Sequence, residues 1–251
     1  LAEAGPKLGG ALLAAKRAPR MQGIADITDW LEREIYRLGV DVRTGSFSEA
    51  GDVIADAPDH VIVATGATSR GNGLQASDPG RKPSGCELAH VCDTHDLLHR
   101  PAEWLGGRSA VVFDDVGHYE AVAAAEHLIE RGAAVTYVTS CAAFAPKMNG
   151  TFRHDVALKH LYRGQFSLRV GHRLAQITPT HCEIVPLRGE TLDRVVADIV
   201  VLVPHRSPSR ALYDELRGRG VGVQLVGDAA SPRTLQDAIR EGHLAARGIS
   251  E

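Results

Sequence analysis

Three short stretches set small residues beside an acid or a hydroxyl, which is the combination that nucleotide binding needs. Glu3 ends a short apolar start, and Gly9 and Gly10 follow it. An acidic residue at the tip of the second strand of a dinucleotide fold can accept hydrogen bonds from both ribose hydroxyls. The glycines let the backbone pass close to a ligand. A solvated strand-end glutamate and a plain glycine turn are the alternatives at these positions. Ala64–Thr65–Gly66 closes a run of β-branched residues, at the strand end where open α/β sheets take their ligands; the alternative is a tight packing turn. Gly227–Asp228 closes another such strand; the alternative is an Asp that satisfies nearby backbone amides. Beyond it, Ser231 suits an N-cap and Pro232 a first helical residue. The long helix expected there turns its amides and positive dipole end toward the strand tip, which suits a phosphate or an electron-rich flavin edge.

A fourth stretch, "FDDVGHYEA" (113–121), lies where a second nucleotide site would fall. A pyridine-nucleotide loop wants G-x-G-x-x-G, so that backbone can touch the pyrophosphate. Asp114 and Asp115 stand in place of two of those glycines. Their charges repel a diphosphate and their Cβ atoms obstruct it; Gly117 alone does not restore the loop. This half is therefore expected to keep the fold without NAD(P)H binding. Ribose or metal binding by the acid pair is the contrary reading.

Other chemistries find less support. The four cysteines, 86, 92, 141 and 182, form no CxxC pair, so neither a redox dithiol nor a local iron–sulfur framework is expected. Cys86, Cys92, His95 and His99 are spaced C-x5-C-x2-H-x3-H, which fits no usual zinc pattern, and no metal site is expected. His118, His154 and His160 have no evident partners and read as surface residues. No catalytic residue is proposed. The chain has 251 residues, 44% hydrophobic and 24% charged, with a formal net charge of −3. That composition suits a soluble globular protein and argues against a nucleic-acid binder. No apolar run approaches the ~18–20 residues of a membrane span. The expected compartment is the reducing cytoplasm.

These residues need an alternating α/β framework. Asp26 or Thr28 caps an expected helix with Trp30, Leu31, Ile35 and Leu38 on one side, stopped by Gly39. "VDVRTG" (40–45) and "DHVIVATGA" (59–67) read as strands, the second of them buried. Residues 68–90 lack periodicity and read as a loop. "RSAVVFDD" (108–115), "HYEAVAAAEHLIERG" (118–132) and "AAVTYVTS" (133–140) form a strand–helix–strand unit, parallel and right-handed. Residues 152–163 read as a helix, and 166–204 as several strands ending in the buried "DIVVLVP".

Four stretches together carry a resemblance: "EAGPKLGG", "VIVATGA", the strand–helix at 109–132, and "VGDAASPRTLQDAIREGHLAA". In that order and spacing the chain resembles the C-terminal region of the trimethylamine dehydrogenase and 2,4-dienoyl-CoA reductase family. Those flavoenzymes join an FMN-binding barrel related to old yellow enzyme, a cysteine-rich iron–sulfur segment, and two Rossmann-like domains similar to glutathione reductase. The resemblance implies an α/β fold of two Rossmann-like domains. Residues 1–106 plus 207–251 would form an FAD/ADP-binding domain, with a degenerate NAD(P)-binding-like domain, 107–206, inserted in it. The barrel, the cluster cysteines and the first strand with its glycine loop are not in this sequence. Since the acidic residue sits about 20 residues past that loop, roughly 25–30 residues of the first domain would lie elsewhere, and the segment would need them to complete its sheet.

By the same resemblance, Glu3, Gly9, Gly10, Ala64, Thr65, Gly66, Gly227 and Asp228 hold FAD or ADP. Asp228 would reach the flavin ribityl or diphosphate region. FMN and a 4Fe-4S cluster, with the catalytic residues, would belong to the absent N-terminal part. The expected parent is an N-methyl-amine dehydrogenase or demethylase. An NADPH-dependent 2,4-dienoyl-CoA or enoate reductase, and a non-catalytic module docking an electron-transfer partner, are the alternatives. Expected partners are the remainder of the same enzyme, an electron-transfer flavoprotein or similar acceptor, and further copies in a homo-oligomer.

Overall fold

The computed structural model describes residues 1–249. In chain order its strands are β1 (Ala2–Glu3), β2 (Arg43–Thr44), β3 (His60–Val63), β4 (Ala67–Ser69), β5 (Val91–Asp93), β6 (Ser109–Asp114), β7 (Ala134–Thr139), β8 (Phe166–Val170), β9 (His172–Ile177), β10 (His181–Pro186), β11 (Asp193–Val196), β12 (Ile199–Val203), β13 (Arg206–Pro208) and β14 (Gly222–Leu225). Its helices are α1 (Leu12–Ala15), α2 (Ala25–Arg37), α3 (Ala50–Ala55), α4 (Thr94–His99), α5 (Ala102–Leu105), α6 (Tyr119–Glu130), α7 (His154–Leu161), α8 (Ala211–Leu216) and α9 (Leu235–Gly248). The chain divides into two compact units. Unit 1 holds Leu1–Gly10, Trp30–Ser69 and the described residues from Arg206 onward; unit 2 holds Ala11–Asp29 and Arg70–His205.

Unit 2 is built on a five-stranded parallel sheet in the order β5-β12-β6-β7-β8. Successive side chains of a strand point to opposite faces, and both faces of this sheet are covered. Ala110 and Val112 of β6 and Ile199, Val201 and Val203 of β12 join one apolar cluster with α6 residues such as Val122 and Leu128. Val111, Phe113 and Val200 face the other way, into a cluster with Leu174, Ile177, Cys182 and Ile184. Those last four come from a three-stranded antiparallel sheet, β11-β10-β9. The near-continuous apolar runs of β6 and β12 follow from this two-sided burial. The β6–α6–β7 unit is the expected parallel one, and Gly132, at φ 82°, ends the helix. Trp104 packs at the edge of the first cluster, with the guanidinium groups of Arg100 and Arg108 against its ring at 4.8 and 4.9 Å.

The unit boundary differs from the expected division at residue 106. Residues 70–106 belong to unit 2 because β5 hydrogen-bonds to β12 as an edge strand of its sheet. Residues 11–29 join it because Ala14 and Ala18 pack on Leu98 and Ala123.

Unit 1 contains three two-stranded ribbons, among them two parallel ones, β1-β2 and β14-β3. Its apolar cluster is small, centred on Ala50, Val63 and Leu216. Several expectations change here. Strand β3 is only partly buried, with Val63 its one fully buried residue, since β14 is its single partner among the described residues. Helix α2 is preceded by a 3-10 turn, and Thr28 Oγ1 donates to Ala25 O within the helix, so neither Asp26 nor Thr28 is its N-cap. Its apolar side is not core: Trp30 is 53% exposed and Leu38 65%. The last helix starts later than expected. Gly227–Ala229 form a 3-10 turn, Thr234 is the N-cap, and Thr234 and Asp237 close a reciprocal capping box. Ser231 and Pro232 thus lie in the connection ahead of the helix.

Candidate functional site

In unit 1 the parallel pairing of β3 and β14 sets Val63 opposite Leu225. The two chains leave the sheet side by side, as Val226 N donates to Val63 O at 3.1 Å. Ala64–Gly66 and Gly227–Asp228 are therefore brought together at one C-terminal edge. Gly66 (φ 73°) and Gly227 (φ 61°) take left-handed backbone that β-carbon residues avoid. A Cβ added at Gly66 would meet nothing within 4 Å, so this tip faces open space. Thr65 Oγ1 donates to Ser209 O at 2.5 Å, and Ser209 N donates to Gly66 O at 2.9 Å, which fixes the turn against the β4–β13 ribbon.

Glu3 ends β1 beside Thr44 of β2. Its Oε1 accepts the Gly5 amide at 2.7 Å, while Ser46 N donates to its carbonyl at 2.9 Å. The carboxylate is held in one orientation with its second oxygen available to a donor. Gly9 (φ 116°) and Gly10 (φ 49°) both use positive φ, and a Cβ at Gly10 would meet nothing within 4 Å.

The last helix presents less free polarity than expected. Its first amides are engaged by the capping box, Asp237 N by Thr234 Oγ1 at 3.2 Å and Thr234 N by Asp237 Oδ2 at 3.3 Å. Gly227 N donates to Glu241 Oε2 at 2.8 Å, and Arg233 pairs with the same glutamate. Asp228 Oδ1 accepts the Arg233 amide at 3.2 Å. Sequence reading missed Glu241 and Arg233. The available signal was helical spacing: Ala238, Glu241 and Ala245 fall on one face of α9, and Ala238 meets Gly227. Glu3 and Asp228 are hydroxyl acceptors by charge, so the tip chemistry fits a polyol better than a bare phosphate.

Asp114 and Asp115 close the corresponding edge in unit 2. Asp114 is fully buried. Its Oδ1 accepts Val116 N at 3.0 Å and Gly117 N at 2.8 Å, and its Oδ2 accepts the Tyr137 hydroxyl at 2.7 Å. Asp115 accepts Ala76 N at 2.7 Å and Ser140 Oγ at 3.1 Å. Burial pushes both carboxyls above the usual range, against the pull of these hydrogen bonds. It also raises the Tyr137 phenol well above its ordinary value, with Asp114 adding to the effect.

The cysteine–histidine set does not converge. Cys92 and Cys86 belong to the clusters on opposite faces of the unit 2 sheet. Burial pushes the Cys92 thiol up to about 12. His95 and His99 stack at 4.5 Å on α4. Two histidines read as lone surface residues are engaged: His154 Nε2 lies 2.8 Å from Phe144 O, and Arg20 Nε donates to His160 Nδ1 at 2.7 Å.

No family profile matches the chain. It is 31% identical over 236 residues to an NADH oxidase of Thermoanaerobacter brockii, covering 94% of this chain and 35% of that protein. It is 28% identical over 238 residues to an N,N-dimethylglycine/sarcosine dehydrogenase of Chromohalobacter salexigens, covering 88% of this chain and 32% of the other. Among solved structures, histamine dehydrogenase from Rhizobium sp. 4-9 superposes with a TM-score of 0.92 at 25% identity, over all of this chain and 40% of that one. The chain thus spans about a third of the relatives it matches. The fold is α/β, and the chain matches a region of oxidoreductases and dehydrogenases, consistent with a flavin-dependent oxidoreductase. More narrowly, these relatives bear out the resemblance of the chain to the C-terminal region of the trimethylamine dehydrogenase and 2,4-dienoyl-CoA reductase family.

Proposed function

We propose that unit 1 holds the adenine half of FAD or ADP, within a flavin-dependent enzyme that oxidises an N-methylated or similar small amine. The juxtaposition of Ala64–Gly66 with Gly227–Asp228 carries the reading. Two left-handed glycines and an open approach at a parallel strand edge suit a nucleotide passing over the tips. Glu3 would accept from ribose hydroxyls, with Gly9 and Gly10 letting the backbone after it pass close to the ligand. Asp228 accepts from the ribityl or second ribose, and Glu241 holds the Gly227 amide so that the turn keeps its shape. A bound FAD would supply electron transfer, whereas a bound ADP would only tie the segments together. The amine assignment rests on the relatives' names, a dimethylglycine/sarcosine dehydrogenase and a histamine dehydrogenase. FMN, a 4Fe-4S cluster and the catalytic residues belong, on this reading, to the rest of the enzyme, with an electron-transfer flavoprotein or similar acceptor as partner.

The open edges of unit 1 support a further parallel strand supplied by that remainder. Parallel strands are stable when flanked and covered, and β1-β2 is only two residues long. Denaturing the parent enzyme and recording the released chromophores tests the cofactor. Flavin beyond the FMN equivalent indicates FAD here, adenine with no flavin beyond that equivalent indicates ADP, and the absence of both ends the proposal. In the Glu3→Gln and Asp228→Ala enzymes, about tenfold weaker retention each is expected, as for lost hydrogen bonds to charged acceptors.

A further inference from the structure

The chain order of the unit 2 sheet reverses between β6 and β12: from β6 it proceeds outward to β7 and β8, then returns to β12 on the other side. Ligands of open α/β sheets sit at the carboxyl ends of the strands at such a switch point. Here that place is taken by the protein's own loop. Arg70, Gly73, Leu74 and Gln75 lie over Phe113 of β6 and Leu202 of β12, and leave a cavity of only about 10 Å³, about the least that a single water needs.

The loop is fastened at several points. Gln75 is 4% exposed, and its amide forms two hydrogen bonds with Leu174 of β9: Nε2 donates to the carbonyl at 2.8 Å and Oε1 accepts the amide at 2.7 Å. Ala76 N donates to Asp115. Asp78 pairs with Arg173 at 3.4 Å, and Ile177 N donates to Ser84 O at 2.8 Å. Gly73 and Gly85 have no room for a side chain, because a Cβ would collide with Cys86 Sγ and with Ile177 O. Beside the loop, the Asp114 carboxylate already takes the Val116 and Gly117 amides, the kind of donor that a glycine loop offers to pyrophosphate.

We propose that residues 70–78 are a built-in plug, latched by Gln75 and Asp115, that occupies the dinucleotide crevice of unit 2 and shuts pyridine dinucleotides out of it. Asp114 serves as the internal anion in place of a phosphate. The proposal is independent of what unit 1 holds.

The test uses the full chain. NADH and NADPH are titrated by equilibrium dialysis with ADP present, and hydrogen exchange maps any protection. No protection at residues 70–78 and 114–117 up to millimolar dinucleotide is expected, and protection confined to 64–66 and 227–228 leaves the plug in place. Saturable protection at 114–117 overturns it. The latch is tested separately by labelling Cys86 with a thiol reagent. Gln75→Ala, or the milder Asp115→Asn should Gln75→Ala unfold, is expected to raise the labelling rate about tenfold while far-ultraviolet dichroism is kept. An unchanged rate in a folded variant overturns the latch.

Discussion

The two units differ in the size of their apolar cores. Leu128, Leu161 and Val201 of unit 2 are wholly buried, whereas Trp30, Leu31, Tyr36, Ile239 and Leu244 of unit 1 are between 42% and 57% exposed. The strand edges follow the same division: five paired parallel strands in one unit, ribbons of two in the other. The contrast extends to the sites. Unit 2 engages its strand-tip carboxylates internally, while unit 1 leaves Gly10 and Gly66 facing open space. Strand tips can thus be kept in two conditions within one chain, one closed by its own side chains and one with glycines exposed.

The same substitution in both units tests this division most strongly. Leu128→Ala should lower the stability of unit 2 by about 2–5 kcal/mol, as buried Leu truncations do. Leu31→Ala should stay within about 0.5 kcal/mol, as at exposed sites. Urea unfolding resolves them, since Trp30 reports on unit 1 and Trp104 on unit 2; equal losses would break the comparison. Glycines should separate similarly. Gly85→Ala combines left-handed backbone with a collision at Ile177 O and should cost about 2–4 kcal/mol. Gly66→Ala has open space, so thermal unfolding should show only about 1–2 kcal/mol, from the backbone.

Tyr137→Phe removes the donor to buried Asp114 Oδ2 and should cost about 1–3 kcal/mol in unit 2 by denaturant titration. The pH response should be just as local. Burial holds His127 of α6 down to about 4 from 6.5. The unfolded chain therefore binds the proton first, and the stability that the neutral ring contributes is complete above about 6.5. It is lost as pH falls from there through about 4. Asp114 and Asp115, with raised carboxyls, act in the opposite sense, because the folded state takes up their protons first. His127→Leu should then flatten the acid limb of the Trp104 transition and leave that of Trp30 unchanged. The smallest effect is expected at the last helix of unit 1: Thr234→Ala removes an N-cap and should cost about 1 kcal/mol by thermal melting.

Much of this was legible locally. The near-continuous apolar runs of β6 and β12, the helix between β6 and β7, and the glycines at strand tips are local signals. The acid pair in "FDDVG" announced a changed loop. What stayed hidden depends on distant partners. Gln75 lies in a stretch without periodicity, and its bonds to Leu174 span 99 residues. The 11–29 segment read as part of the first domain because nothing local shows Ala14 and Ala18 meeting Leu98 and Ala123. The start of α9 was misplaced because Ser231–Pro232 is a good opening in isolation. Thr234 won through its reciprocal bonds with Asp237. Trp30 and Leu31 share one apolar side of α2, but amphipathic spacing marks a face that needs cover without saying what covers it.

The Tyr137–Asp114 contact has an optical consequence. Burial and the neighbouring Asp114 keep this phenol protonated well above its ordinary range. In a base titration followed by tyrosinate absorbance, the Tyr137 signal should come late, appearing abruptly when the parallel sheet comes apart. That delayed step is an intrinsic gauge, without any label, of whether the sealed half of the molecule is intact.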